Sequence, residues 1–132
     1  MKPEQYTQLR AHTTRLLELN QYAENIYLNE TRTDGYEVDF FGMVKPFADE
    51  IKERSEEWLP LANELVEAKL PKDLHLNQLT QTVDNLEVVA IKSFYPETGL
   101  KKQIETFKAV AYVLKQVSDV LDEDIIQKTE RS

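Results

Sequence analysis

The sequence predicts an all-α protein, a four-helix up-and-down bundle in which residues 1–132 form a single helical-bundle domain. Three observations carry that expectation. Apolar residues recur at three- and four-residue steps nearly throughout, the period of a helix with one buried face. Most connections between the periodic segments are short, which makes successive helices antiparallel neighbours. No strand-like alternation, internal repeat or low-complexity stretch competes. The helices are expected at about 4–29, 38–69, 74–94 and 98–126.

The first helix steps through Tyr6, Leu9, Thr13, Leu16, Asn20, Ala23 and Tyr27, with Leu19 and Ile26 widening the stripe. Thr13 and Asn20 are polar inside an apolar seam, where a single polar residue fixes register or lines a pocket. The stretch 29–37, NETRTDGYE, is the one longer loop and carries Gly35.

The second helix keeps one phase through Phe40, Val44, Phe47, Ile51, Trp58, Ala62 and Leu65, with Ser55 filling the gap. On that phase Phe40 points inward. Asp39 is placed to cap the start, with Asp34 and Glu37 as a rival capping pair. Pro46 and Pro60 interrupt the run, and each removes a backbone donor and crowds the preceding turn. Either one long helix bends at Pro46 and/or Pro60, or a short helix runs from 39 to 45 and a second begins with Pro46 at its first position.

The third helix repeats the pattern at Leu76, Leu79, Val83, Leu86, Ala90 and Phe94, with Asp73 as the expected N-cap and Tyr95-Pro96 as the stop. The fourth steps through Leu100, Ile104, Phe107, Ala111, Leu114, Ser118, Leu121 and Ile125, opened by Pro96 or Thr98 and running on toward Lys128. Val110, Val113 and Val117 broaden its apolar face to bundle width.

Composition removes several functions. The chain has no cysteine, which excludes a disulfide framework, a thiolate metal site and a cysteine nucleophile. Its formal net charge of −8 opposes binding to nucleic acid or to an anionic membrane surface. No apolar run reaches membrane-spanning length. The N-terminal MKPEQYTQLR lacks the apolar core of a secretory signal, so a cytoplasmic location is expected.

Chemistry-bearing motifs are few. Asp39-Phe40-Phe41-Gly42 superficially resembles the metal-binding turn of a protein kinase, but the catalytic loop and glycine-rich loop of that fold are missing. Gly35, Gly42 and Gly99 are the only three glycines, and no two are adjacent, so no phosphate cradle forms. His12 and His75 have Leu9 and Lys72 where a Glu-x-x-His di-iron motif needs glutamate. No serine sits in a nucleophile elbow. No catalytic residue, metal site or cofactor is therefore expected. Asp49, Glu50, Glu53, Glu56 and Glu57 form an acidic run that reads as a solvated face or as a surface for a basic protein. Glu50-Arg54 and Lys52-Glu56 fall at helical pairing distance.

One set of motifs has a likeness. Asp39-Phe40-Phe41, Val44-Lys45-Pro46, Trp58, Glu64-Leu65-Val66, Leu70-Pro71-Lys72, Leu74-His75 and Gln78 together resemble the YppE-like family, small uncharacterised helical proteins of Bacillus-type bacteria. The likeness covers about residues 36–80 and is carried by the spacing of the pieces rather than by any one of them. It implies a compact bundle of about four helices in a bacterial cytoplasm. It implies no activity, and it makes Tyr36, Asp39, Phe41, Lys45 and Trp58 a candidate binding patch.

The expected function is a non-enzymatic cytosolic bundle that binds a protein partner or a second copy of itself, with Phe41 about 100° round the helix from Phe40 and free to face solvent. The alternative is a small-molecule binder or enzyme with a pocket between helices, using Thr13, Asn20, Ser118 and Lys45 as its polar groups. A third reading, an immunity or antitoxin-type protein, rests on size and charge alone.

Overall fold

The structure is a computed structural model that describes the backbone of residues 1–131 and the side chains of residues 1–124. Four α-helices form it: α1 (Pro3–Ile26), α2 (Lys45–Lys69), α3 (Leu76–Lys92) and α4 (Leu100–Arg131). Each packs against its neighbour in sequence, and α4 closes the ring against α1, which is the up-and-down topology. One end of the bundle holds the α2–α3 turn. The other holds the long α1–α2 connection and the α3–α4 loop.

The core follows the predicted stripes through the middle of every helix. Leu9, Leu16, Ala23 and Tyr27 from α1 and its C-terminal turn meet Ile51, Trp58 and Leu65 of α2, Leu79 and Leu86 of α3, and Phe107, Leu114 and Leu121 of α4. Burying each large apolar side chain contributes about 1.5–3 kcal/mol, and this set outweighs any single polar contact. The stripes fail at the helix ends. Leu76 and Leu100 are exposed, and in α4 the buried line passes through Val110 and Val117 while Ala111 and Ser118 lie half-buried beside it. Ile125, the last position of the predicted stripe, lies outside the described side chains.

Two prolines sit in the second helical run, and the backbone treats them differently. Helix α2 continues unbroken through Pro60, whose ring is exposed. On that face water can satisfy the carbonyl that loses its partner, so the loss costs least there. Pro46 occupies the first turn of α2, where its missing donor is not needed. Ahead of it, Phe40–Val44 form a π-helical turn in which Val44 N–H reaches Asp39 O at 3.2 Å and Lys45 N–H reaches Phe40 O. This wider turn gives room where a regular helix would drive the Pro46 ring onto the carbonyl of Gly42. The accommodation at Pro46 is thus an opened turn rather than a bend within one regular helix.

Helix starts differ from expectation in two places. The N-cap of α3 is His75, not Asp73, and its N–H donates to Gln78 Oε1 at 2.7 Å. Helix α4 opens at Leu100, beyond both Pro96 and Thr98. The Thr98 hydroxyl turns back and donates to Lys92 O at 3.1 Å, closing the end of α3 instead.

Candidate functional site

The α1–α2 connection is held to the bundle by side chains that donate to the carbonyls at the end of α3. Such carbonyls have no partner within their own helix. Thr31 Oγ1 donates to Ser93 O at 2.8 Å, and Tyr36 Oη donates to Phe94 O at 2.9 Å. Gln103 Nε2 reaches Ser93 Oγ at 3.0 Å, and Tyr27 Oη donates to Thr98 O at 2.8 Å. Gly35 turns the chain at φ +81°, a conformation that costs a residue with Cβ. Tyr36 is therefore an anchor for the loop, with its ring half-buried.

Beyond this anchor the Phe40–Val44 turn is built on Asp39. Its Oδ1 accepts from Gly42 N at 2.9 Å, so Asp39 is the cap and the Asp34–Glu37 alternative is not used. A Cβ at residue 42 would overlap the Asp39 carboxylate, so the cap needs glycine there. Phe41 is 80% exposed and Phe40 is 45% exposed. Their rings meet edge to face with centroids 5.1 Å apart. Phe40 does not point into the core as the α-helical phase predicts, because the π-helical turn takes more residues per revolution and rotates Phe40 off the stripe that Val44 continues.

The same turn borders a groove of about 470 Å³ between α1 and α2. Leu19, Tyr22 and Arg15 form one wall, and Gly42, Met43, Pro46 and Glu50 the other. Phe47 and Phe94 complete its lining, packed edge to face at 5.4 Å, with Tyr22 5.9 Å from Phe47. The groove is apolar at its base and charged along its rim.

The rim charges belong to a ladder across the α1–α2 seam. Arg15 donates to both Glu50 carboxylate oxygens, Nε to Oε2 at 2.6 Å and Nη2 to Oε1 at 2.9 Å. This fork holds the Glu50 carboxyl below the ordinary carboxylate range, against partial burial that acts the other way. Arg54 lies 3.7 Å from Glu50 at the predicted i,i+4 spacing, and its Nη1 lies 3.3 Å from His12 Nδ1. A guanidinium can only donate, so His12 Nδ1 accepts and the ring proton sits on Nε2, 2.9 Å from Glu57 Oε2. His12 is thus a strut of the seam.

The structure divides the five residues of the candidate patch. Phe41 and Asp39 lie on the exposed turn, and Lys45 follows it, paired with Asp49 at 2.9 Å. Tyr36 is the loop anchor. Trp58 is 0% exposed and donates from Nε1 to Thr13 Oγ1 at 3.0 Å in the centre of the bundle, so it has no place on the surface. The polar set of the alternative pocket also disperses. Thr13 is buried and donates to Leu9 O at 2.7 Å, and Asn20 donates from Nδ2 to Phe107 O at 3.0 Å, tying α1 to α4. Neither they, Ser118 nor Lys45 line the groove. The groove's own residues carry no local signal because α1 supplies Arg15 and Tyr22 while Met43 comes from the turn before α2. The acid–base pairing of Arg15 with Glu50 spans 35 positions and leaves no local spacing signal.

Among the described residues no group of three histidine, cysteine or acidic side chains is placed to hold a metal ion. Likewise no helix there is long and apolar enough to cross a membrane.

Comparison with known proteins agrees with this architecture. A crystal structure of a protein of unknown function from Listeria innocua superposes with a TM-score of 0.81 at 30% identity, covering 97% of this chain and 98% of that one. A crystal structure of YppE from Bacillus subtilis gives a TM-score of 0.82 at 24% identity over 94% of this chain and 98% of its own, a likeness of fold. In sequence, the Uncharacterized protein YppE of Bacillus subtilis (strain 168) is 26% identical over 107 residues, 81% of this chain and 86% of that protein. The family model described as a bacterial domain of unknown function (DUF1798) matches residues 13–121, most of the chain and at least part of each of the four helices, and the chain belongs to that family.

Proposed function

We propose that this chain is a non-enzymatic, cytoplasmic protein-binding bundle that engages its partner through the Phe40–Phe41 turn and the groove beside it. The observation that carries the reading is Phe41, 80% exposed on a turn that is built rather than loose. The Asp39 cap, the glycine at 42 and the Tyr36 anchor hold two phenylalanines, packed edge to face, out in water. An exposed aromatic pair gains most by being covered, and aromatic anchors beside a preformed pocket are what binding hot spots are made of. The groove adds an apolar base of Leu19, Phe47 and Phe94 to receive a partner side chain.

The test is capture of the tagged protein from its native host at low salt, beside a Phe41→Ala variant. A partner recovered in near-equal amount by the wild type and lost with the variant supports the reading. Equal recovery by both, or no partner above background in repeated captures, removes it. Unchanged thermal unfolding of the variant shows that any loss reflects the surface and not the fold.

A further inference from the structure

Lys101, Glu105, Lys108, Tyr112, Lys115 and Asp119 follow one another along α4 at alternating four- and three-residue steps. That spacing lays them in one row on the helix. All six are exposed, Tyr112 at 53%. Lys101–Glu105 and Lys115–Asp119 have the same four-residue spacing as the Lys45–Asp49 pair, which closes at 2.9 Å. Neither of them closes. Among the described residues none of the five charges in the row has an ion-pair partner within the chain.

The row is ordered. One position of its seven-residue repeat is lysine three times, at 101, 108 and 115, and the other holds Glu105, Tyr112 and Asp119. Two such helices packed antiparallel bring the first position of one against the second position of the other. With a two-fold axis at residue 110, Lys101 meets Asp119, Glu105 meets Lys115 and Lys108 meets Tyr112, each contact occurring twice. No like charges of the row then face each other, and an ammonium meets an aromatic ring that attracts it. An axis at residue 112 instead would set Glu105 against Asp119, so the charges also fix the register. The flanks do not oppose this pairing. On the α3 side lies a hollow of about 280 Å³ with no charge in its lining, where Gln78, Gln81, Asn85, Ala109 and Val113 surround Tyr112. Of the remaining acids at that end of α4, Asp122 is held by Arg10 at 2.7 Å and Asp124 is buried against Lys69. Glu123 falls opposite the loop ahead of the facing α4.

We infer that a second copy of this chain docks along α4, antiparallel about a two-fold axis at residue 110, in a dimer held by the reciprocal lysine–acid and Lys108–Tyr112 contacts. Charge complementarity chooses the occupant. A net charge of −8 makes two copies repel at range, and this row is a face on which they meet with opposite charges in register. A nucleic acid would meet Glu105 and Asp119 among the lysines. In the ring of helices α4 packs on α1 and α3 and lies diagonal to α2, so the dimer leaves the Phe40–Phe41 turn and its groove available.

The test is sedimentation velocity over a concentration series at low salt, up to about 1 mM, the weak limit of a specific contact. The inference expects a monomer–dimer equilibrium that stops at the dimer and weakens as salt rises. Lys101→Glu/Lys108→Glu/Lys115→Glu and Glu105→Lys/Asp119→Lys each set like charge against like, and each should raise the dissociation constant at least ~10-fold. An equal mixture of the two should pair to within about 3-fold of the wild type, although both variants remain net negative. The register is read separately. Under mild oxidation, Lys101→Cys mixed with Asp119→Cys should give the mixed disulfide in preference to either like pair, in a chain with no other cysteine.

A wild type that stays monomeric throughout the series would overturn the inference. So would a mixture of the two charge variants that fails to pair, or association that runs on past the dimer. A dimer indifferent to both charge variants but lost with Phe41→Ala would move self-association to the aromatic turn and overturn the α4 contact. Unchanged thermal unfolding of the charge variants shows that their losses reflect the surface. If either is destabilised, the disulfide preference decides, because it leaves the rest of the row intact.

Discussion

Trp58 and the Phe40–Phe41 pair lie on one helical run and share the aromatic character that groups them in the sequence. The tertiary structure gives them opposite fates. Trp58 is sealed among four helices, with its one polar atom satisfied by Thr13. The phenylalanines stand in water on a turn held by Asp39 and Gly42. The contrast teaches that helical phase assigns a side chain to the core only while the backbone keeps a regular helical pitch. Between Asp39 and Lys45 it does not, because Pro46 favours a wider turn there, and the two aromatics nearest the break rotate out.

The comparison predicts an ordered series of effects. Trp58→Ala removes the largest buried side chain of α2 and leaves a cavity in the core, while the Thr13 hydroxyl keeps its bond to Leu9 O. It is expected to cost about 3–5 kcal/mol in urea unfolding, where Phe41→Ala stays within about 0.5 kcal/mol. Comparable losses at the two positions would break the contrast. Thr13→Val leaves the Trp58 indole N–H buried without an acceptor and is expected to cost about 1–3 kcal/mol. Because Trp58 is the only tryptophan, its emission follows the same transition.

Asp39→Ala removes the cap of the exposed turn at about 0.5–2 kcal/mol. Gly42→Ala forces a Cβ against the Asp39 carboxylate and loses the same cap. The double variant should therefore be no less stable than the worse single one, and a fully additive loss in the double cycle would show that the two residues act separately.

The smallest effect concerns the seam between the two regions. The folded-state pKa of Glu50 is depressed by its fork to Arg15, so its contribution is present above the unfolded carboxylate range. It is lost as pH falls through the lower folded value. Glu50→Gln is expected to flatten the acid limb of stability against pH, with little change near neutrality beyond a modest loss. A parallel acid limb in the variant would show that the partly exposed pair is screened by solvent and contributes nothing measurable.

How far the sequence could be read follows the same physical line. Leu9, Leu16, Ile51, Leu65, Leu86 and Leu114 are legible because burial acts on every turn and leaves a period in the chain. The Asp39 cap was legible as one of two local options, since capping uses residues three apart. The π-helical turn was not, because nothing in FFGMV itself distinguishes it from an α-helical start. His75 displaced Asp73 as cap because Gln78 could reach back to the His75 N–H, a contact settled by the path of the α2–α3 turn.

By itself the sequence determined an all-α bundle, its four stripes, its acidity and the absence of cysteine chemistry, since these depend on composition and on periods within single helices. Only the tertiary structure decided that Phe40 leaves the core stripe, that Thr98 closes one helix rather than opening the next, and that Arg15 and Glu50 rim a groove. Those outcomes depend on which segments meet across space, and a pairing between distant positions imposes no pattern on the residues that lie between them.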